Sequence, residues 1–236
     1  MRFICILLMS VIIVGCQGDI SENDYFPVNK GVEWHYSVFE DLTDTTQKRQ
    51  FSITNLGPID LKGDYSGMPV FARRTSDGTV YYVLQDDTGS YRIAKRTVVE
   101  LTPRFDDKEI KILPNKEDLE VGRSWVAETR SYALHGLRSA LPDPSKKAFG
   151  LTYEIVALNS SVVVPAGRFE NCVKVEASGV ISLYADPRLG YQDITVTQTE
   201  WYAPGVGLVK LVRSEPMDLE IYKGGSITFE LNRFES

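Results

Sequence analysis

The residue with the most specific chemistry in this chain is Cys16, which ends the run Ile13-Val14-Gly15-Cys16. Small and branched apolar residues followed by glycine and cysteine are typical of a lipobox, the processing site at the end of a lipoprotein signal. At such a site the chain is cut before the cysteine, the thiol forms a thioether to diacylglycerol, and the new amino group is acylated. Each buried acyl CH₂ contributes about 0.8 kcal/mol, so two or more acyl chains hold a protein stably on a bilayer. The sequence therefore predicts lipidation at Cys16, with the lipid bilayer as a partner.

Residues 1–15 have the layout of a bacterial export signal. Arg2 supplies the positive charge, and residues 3–14 are apolar except for Ser10. This apolar run of roughly a dozen residues is too short for a transmembrane helix, which needs about 20. We therefore interpret residues 1–15 as a signal peptide and residues 16–24 as a short lipidated tether.

The residue after the lipidated cysteine bears on location. It is Gln17, whereas an aspartate there is the usual signal for retention in the inner membrane of enteric bacteria. We therefore expect a protein of the bacterial cell envelope that is anchored to the outer membrane and faces the periplasm or the surface. The alternative is an ordinary secreted protein, cut near Gly15 or Gly18, in which Cys16 carries no lipid.

The other cysteines give no sign of catalysis. Cys5 is removed with the signal and Cys16 is consumed by lipid, so Cys172 has no partner for an intramolecular disulfide. It lies in the strand-like stretch 169–175, where a free cysteine usually packs as a small apolar group. We expect Cys172 to lie in the core. The alternative is a reactive thiol with His135 as its base.

Side chains that could catalyse hydrolysis or bind a metal do not form a recognisable set. The chain has no Gly-x-Ser-x-Gly elbow, His-Glu-x-x-His motif, paired-cysteine motif or phosphate loop. Its two histidines are His35, on the polar face of a strand, and His135, in a long loop at residues 134–149. Three acidic pairs lack the ligand spacing of a calcium loop, and we expect solvated turn charges there: Asp86-Asp87, Asp106-Asp107 and Glu117-Asp118. We therefore predict no catalytic residue, no cofactor and no metal, and a protein that is not an enzyme.

The charge balance limits the class of partner. The formal net charge is −6, and removal of Arg2, which carries the one charge of residues 1–15, leaves −7. An acidic domain without a lysine or arginine cluster argues against nucleic acid as a partner. It also argues against electrostatic attraction to anionic lipid.

Period-two alternation dominates the rest of the chain and predicts strands. Trp34, Tyr36 and Val38 share one face of the first strand, and similar runs continue to residues 227–234. Turn signals separate the runs, among them residues 86–89, residues 165–167 and a last turn at residues 223–226. We predict one all-β, mostly antiparallel domain over residues 25–236. Its sheet is expected to be single and curved, half-barrel or barrel-like, with a few short helical turns.

Aromatic side chains are the candidates for the interior of this sheet. Tryptophan and tyrosine in strands commonly belong to the core, and on a concave face they also line sites for apolar ligands. The candidates for core or ligand-contacting aromatics are Trp34, Tyr36, Tyr82, Trp125 and Trp201.

Motifs distributed over most of the mature chain carry a resemblance. They are Tyr25-Phe26-Pro27…Gly31…Trp34-x-Tyr36, Val164-Pro165-Ala166-Gly167-x-Phe169-x-Asn171-Cys172-x-Lys174-Val175, and the run from Trp201-Tyr202-Ala203-Pro204-Gly205 to Lys210. As a set they resemble a broad group of uncharacterised bacterial lipoproteins and secreted proteins. The layout is similar to that of proteins with a long curved antiparallel sheet, such as the lipoprotein carriers of the Lol system. The resemblance implies a curved β-sheet and supplies no catalytic residues.

Two functional hypotheses follow from these observations. The first is an envelope lipoprotein whose non-catalytic β-domain binds a partner protein or an apolar ligand such as a lipid. The second is a surface-tethered hydrolase that acts through acidic residues, which would require two carboxyl groups about 5–10 Å apart in one pocket. An apolar cavity of ligand size in the folded domain would favour the first.

Overall fold

The computed structural model describes residues 24–43, 45–136 and 143–236. Within these ranges the regular structure is almost entirely antiparallel strand, which confirms the all-β expectation. The strands are β1 (Glu33–Leu42), β2 (Thr45–Pro58), β3 (Val70–Thr75), β4 (Val80–Asp86), β5 (Gly89–Arg96), β6 (Arg104–Pro114), β7 (Ser124–Arg130), β8 (His135–Gly136), β9 (Ala148–Val164), β10 (Gly167–Asp186), β11 (Gly190–Ala203), β12 (Gly207–Asp218) and β13 (Tyr222–Glu235). Short 3₁₀ turns at Gly63–Tyr65, Lys116–Asp118 and Pro144–Lys146 confirm the few helical turns predicted.

Several predicted features lie outside the described residues. These are the signal peptide, Cys16, and the tether up to residue 23. The long loop predicted at residues 134–149 is described except for residues 137–142. Among the residues that are described, no helix is long and apolar enough to cross a membrane.

One sheet contains all of these strands. The first and last strands along the chain, β1 and β13, are neighbours in the middle of the sheet. The order is β6-β5-β4-β3-β2-β1-β13-β12-β11-β10-β9-β7, with β8 beside β13. The outer strands β6 and β7 approach each other where residues 106–110 face Val126 and Glu128 across a gap. The sheet therefore curls into a nearly closed barrel, which confirms the prediction of a single barrel-like sheet.

Alternation along each strand decides which side chains face the interior of the curled sheet. In β11 the exposed Thr195 and Thr197 alternate with the buried residues Ile194, Val196, Gln198, Glu200 and Tyr202. Directly paired residues of antiparallel strands share a face, so Val175 of β10 and Leu211 of β12, both paired with Glu200, also point inward. The interior is thus mainly apolar but contains a polar row along β11.

The segment before β1 packs inside the curled sheet. Phe26 and Val28 are buried in one cluster with Val83 of β4 and Val173 of β10, which lie on opposite sides of the sheet order. The Asp24 carboxylate accepts a hydrogen bond of 2.8 Å from the Phe26 N–H, and this anchors the segment. The chain itself therefore covers the end of the interior that lies near the start of β1.

The last predicted turn is wrong in position. Residues 223–226 belong to β13, and the chain reverses at residues 219–221. A Cβ atom on Gly225 would lie 2.2 Å from the Asp41 carbonyl oxygen, and one on Gly224 would lie 2.1 Å from the Glu215 carbonyl oxygen. Glycine is required here because neighbouring backbones approach closely, a role that glycine serves in strands as well as in turns. The hairpin turns predicted at residues 86–89 and 165–167 are confirmed.

Candidate ligand-binding cleft

An open cleft of about 450 Å³ lies on the inner face of β1, β2, β12 and β13. Its volume falls within the range of about 300–1,000 Å³ that is common for small-molecule sites. Most of its lining is apolar or aromatic. The lining residues are Tyr36, Glu40, Arg49, Phe51, Ile53, Tyr81, Tyr132, Leu208, Leu211, Ile227 and Phe229.

Strand register assembles the aromatic wall of this cleft. Tyr36 of β1 pairs directly with Phe51 of β2, so both rings lie on the same face. The Phe229 ring of β13 meets both in edge-to-face contacts, with centroid distances of 6.3 Å to Tyr36 and 5.7 Å to Phe51. The Tyr36 hydroxyl donates a hydrogen bond of 2.7 Å to the Leu208 carbonyl oxygen, and burial raises its pKa above the ordinary value. These contacts hold the wall rigid and uncharged.

A single ion pair marks the outer end of the cleft. The Arg49 Nε donates to Glu40 Oε1 at 2.7 Å, and the Arg49 guanidinium lies 5.8 Å from the Phe51 ring centroid and 6.0 Å from that of Phe229. Both charged residues are partly exposed to solvent. Exposed pairs of this kind contribute little to stability, so the pair leaves this end of the cleft polar but electrically balanced.

Polar residues continue the inner face beyond the other end of the cleft. Asn55 follows Ile53 on the inner face of β2, and it pairs with Arg73 of β3. Arg73 pairs on its other side with Tyr81, which lines the cleft. The Arg73 Cζ atom lies 4.6 Å from the ring centroids of both Phe26 and Trp34. Desolvation by burial lowers the pKa of Arg73 to about 10.

Sequence reasoning alone does not identify Arg73 as an inward residue. Alternation along β3 places Val70 and Ala72 on one face, and Phe71 and Arg73 on the opposite face. That opposite face is the one that turns towards the interior, because residues Leu61 and Tyr65 cover the Val70–Ala72 side. A strand covered on both faces gives no single polar side in the sequence.

A buried chain of polar side chains crosses the inner face beside the cleft. The Tyr202 hydroxyl donates to Glu200, Gln198 Nε2 donates to the same carboxylate, and Arg213 joins Gln198 to Glu215. Burial raises the pKa of Glu200, against the opposing effect of its hydrogen bonds and of Arg213. Burial also acts to raise the pKa of Glu215, but Arg213 and the donors around it outweigh burial and lower that pKa.

These two carboxylates have structural partners rather than an open site. Glu200 accepts hydrogen bonds at 2.6 and 2.8 Å, and Glu215 has none of its surface exposed. Neither residue lines the cleft. The pair therefore differs from the arrangement that the hydrolase hypothesis requires, in which two carboxyl groups face a shared pocket.

Of the five predicted aromatics, Tyr36 lines the cleft and Trp34 lies beside it. Trp34, the next inward residue of β1, is buried with its Nε1 donating to the Val206 carbonyl oxygen at 2.7 Å. Tyr82 is buried on the opposite face of the sheet, in a cluster with Val70 and Leu84.

The remaining two predicted aromatics lie elsewhere. Trp201 alternates with the inward Glu200 and Tyr202, so it lies on the outer face, where Lys174 Nζ is 5.6 Å from its ring centroid. Trp125 stacks on Tyr153 with a centroid distance of 5.5 Å and an interplanar angle of 9°. Residue type alone thus identifies Trp34, Tyr36 and Tyr82 as buried residues. It does not tell which aromatic rings lie on the same face of the sheet.

The cysteine and histidine candidates also have defined places. Cys172 is buried in the main apolar cluster, as predicted, and burial raises its pKa to about 11. Ligand atoms of Glu33, His35 and Glu235 lie within 4.8 Å of one another. The Arg233 guanidinium contacts both His35 and Glu235, at 3.2 and 2.8 Å. This fixed positive charge opposes a second cation at the same place.

Comparison with known proteins gives a distant likeness. No protein-family model and no curated protein matches this chain. One similar solved structure is described as a "putative lipoprotein" from Parabacteroides distasonis ATCC 8503, with a TM-score of 0.45, 14% identity, and coverage of 93% of this chain and 100% of that one. Another is described as a "putative exported protein with YmcC-like fold" from Bacteroides fragilis NCTC 9343, with a TM-score of 0.43, 14% identity, and coverage of 89% and 98%.

Proposed function

We propose that this protein is a lipid-anchored protein of the bacterial cell envelope, with a non-catalytic β-domain that binds an apolar ligand in the cleft. The observation that carries the proposal is the cleft itself, an open and mainly apolar space of about 450 Å³ on the inner face of a sheet that elsewhere packs apolar clusters. Lipidation at Cys16 and attachment to the outer membrane are parts of the same proposal and follow from the sequence around that residue.

The lining favours a ligand that is apolar over most of its length. Burial of apolar surface contributes roughly 25 cal/mol per Å², and the rings of Tyr36, Phe51 and Phe229 present such surface without an unpaired charge. Along β2 the inward residues Arg49, Phe51 and Ile53 follow at two-residue steps of about 6.7 Å. The cleft therefore extends over about 13 Å along β2, which gives room for a chain-like molecule.

The same geometry supports a binding role over hydrolysis. Glu200 and Glu215 are occupied by hydrogen bonds within the sheet, and Glu40, the acid that lines the cleft, is paired with Arg49. The binding hypothesis also includes a partner protein as the ligand. We would prefer that alternative if the cleft bound no small molecule.

The test uses the full chain carrying Cys16→Ser, purified without detergent, so that detergent does not occupy the cleft. Native mass spectrometry is expected to detect a copurifying apolar molecule, and the fluorescent probe N-phenyl-1-naphthylamine is expected to bind to the emptied protein. Ile53→Trp fills the cleft from a partly buried inward position and should weaken probe binding at least tenfold. The matched control is Val180→Trp, at a position that is 53% exposed on β10.

Two outcomes of these measurements would contradict the proposal. If the Ile53→Trp and Val180→Trp proteins bind the probe as the parent protein does, while urea unfolding shows both to be folded, the cleft is not a binding site. If the probe binds to none of the three proteins and no ligand copurifies, binding of a partner protein replaces binding of an apolar ligand as the proposed function.

A further inference from the structure

The interior beside the cleft holds a cation without an anionic partner. Arg73 makes no ion pair within 4 Å to any carboxylate of the described ranges, and its Nε is buried without a hydrogen-bond partner. Its contacts are instead with the faces of Phe26 and Trp34. Cation–π contact offsets part of the cost of desolvating a guanidinium, but a buried donor that is left unpaired is destabilising.

Asp24 attracts this positive charge but forms no ion pair with it. Asp24 interacts with Arg73 electrostatically, but its carboxylate already accepts the Phe26 N–H at 2.8 Å. Burial, the largest effect on Asp24, raises its pKa and so favours its neutral form. Arg73 therefore lies in the interior without a carboxylate in direct contact.

A second unpaired polar atom lies on the residue next to Arg73. Asn55 is buried and is the direct cross-strand neighbour of Arg73. Its Nδ2 donates to the Pro27 carbonyl oxygen at 3.0 Å, whereas its Oδ1 is buried without a partner among the described residues. Native proteins rarely leave buried polar atoms unsatisfied, so a donor and an acceptor left unpaired on adjacent residues indicate a place for a polar group from outside the chain.

The position of this pair connects it to the cleft. Asn55 is the next inward residue after Ile53 on β2, and Arg73 pairs with Tyr81; Ile53 and Tyr81 both line the cleft. The order along the inner face is therefore the Arg49–Glu40 ion pair, then the aromatic wall, then Asn55 with Arg73.

We propose that Arg73 and Asn55 bind the anionic head group of an amphiphilic ligand whose apolar chain occupies the cleft. This inference rests on the proposed function and specifies its ligand class. The head group is a carboxylate or phosphate that accepts from Arg73, and a neighbouring hydroxyl, or the proton of a monoprotonated phosphate, donates to Asn55 Oδ1. Arginine suits this task because its planar donors match carboxylate and phosphate oxygens.

The test compares two probes that share a chain and differ in charge: 11-(dansylamino)undecanoic acid and its methyl ester. The full chain with Cys16→Ser should bind the acid at least tenfold more tightly than the ester. Arg73→Met should abolish this preference while ester binding remains, and Arg73→Lys should restore part of it. Arg74→Met, at the exposed neighbouring residue, is the matched control and should keep the preference.

The outcomes separate this inference from the proposed function. If the parent protein binds acid and ester equally, or if Arg73→Met keeps the preference for the acid, the Arg73 site is refuted while the apolar cleft stands. If neither probe binds the parent protein, the proposed function itself fails. Should Arg73→Met fail to fold, the acid-to-ester ratio of the parent protein and of Arg73→Lys decides the question.

Discussion

Glu215 is the residue whose removal should damage this fold most sharply. It is fully buried on β12, next to the equally buried Arg213. Its carboxylate accepts hydrogen bonds from Arg213 Nε at 2.6 Å, Ser131 Oγ at 2.6 Å, and the backbone N–H groups of Tyr132 at 3.0 Å, Ala133 at 2.9 Å and Leu134 at 3.1 Å. One side chain thus ties the segment at residues 131–134 to the sheet.

Glu215→Gln keeps the shape but removes the charge and turns an NH₂ group towards donors. Arg213 then remains buried without its counter-charge. Removal of one partner from a buried ion pair costs about 3–5 kcal/mol, and we expect the free energy of unfolding to fall by about 4 kcal/mol on that basis. Native proteins have a total of about 5–15 kcal/mol, so this loss would remove between about a quarter and four fifths of the stability.

Urea unfolding followed by circular dichroism measures this loss, since the midpoint shifts in proportion to the free energy at constant slope. The control is Glu176→Gln, which breaks the Lys174–Glu176 pair of 2.6 Å on the outer face, where Glu176 is 50% exposed. That change should cost less than about 1 kcal/mol. If Glu215→Gln costs no more than Glu176→Gln, our reasoning on the buried pair is refuted.

The effect of Glu215 should also depend on pH with a definite sign. Its pKa in the folded protein lies below the ordinary value of 4.5, so it contributes stability above that value and loses it as the pH falls through the folded pKa. Glu200 has a raised pKa, so its contribution is complete below the ordinary value and is lost as the pH rises. The stability difference between parent and Glu215→Gln should therefore be largest near neutral pH and shrink below pH 4.5.

Two further predictions concern the cysteines. Cys16→Ser should move the protein from the membrane fraction to the soluble fraction and abolish labelling by radioactive palmitate; retention of the variant on the membrane would contradict the anchor. In that variant Cys172 is the sole thiol once the signal is removed, and because burial raises its pKa to about 11, iodoacetamide should modify it slowly in the folded protein and rapidly in urea. Equal rates in the two states would exclude a core thiol.

The sequence predicts the fold class well because period-two alternation is a direct consequence of strand geometry. Trp34, Tyr36 and Val38 share the inner face as predicted. The error at Gly224-Gly225 has a physical cause: both a turn and a close backbone approach require a residue without a side chain, and a single sequence does not distinguish them.

The site is less predictable, because alternation separates two faces of a strand without saying which face becomes the interior. In β4 the sequence favours Val80, Tyr82 and Leu84 as the apolar face, and these residues are indeed buried. They are buried under residues 61–65 on the outer side, while Tyr81 turns to the cleft. The coverage of both faces is a property of the tertiary structure and leaves no trace in the pattern of one strand.

The buried network and the cleft are connected through Tyr132. This residue lines the cleft, its ring lies 4.1 Å from the Arg213 Cζ, and its N–H is held by Glu215. A double replacement, Arg213→Met with Glu215→Leu, leaves no buried charge unpaired, and apolar replacement of a whole ion pair is often neutral or stabilising. The backbone donors at residues 132–134 nevertheless lose their acceptor, so Tyr132 is no longer fixed against the cleft. In that variant we expect ligand binding to fall more than the free energy of unfolding does, and an equal loss of both would assign the network to holding the sheet together instead.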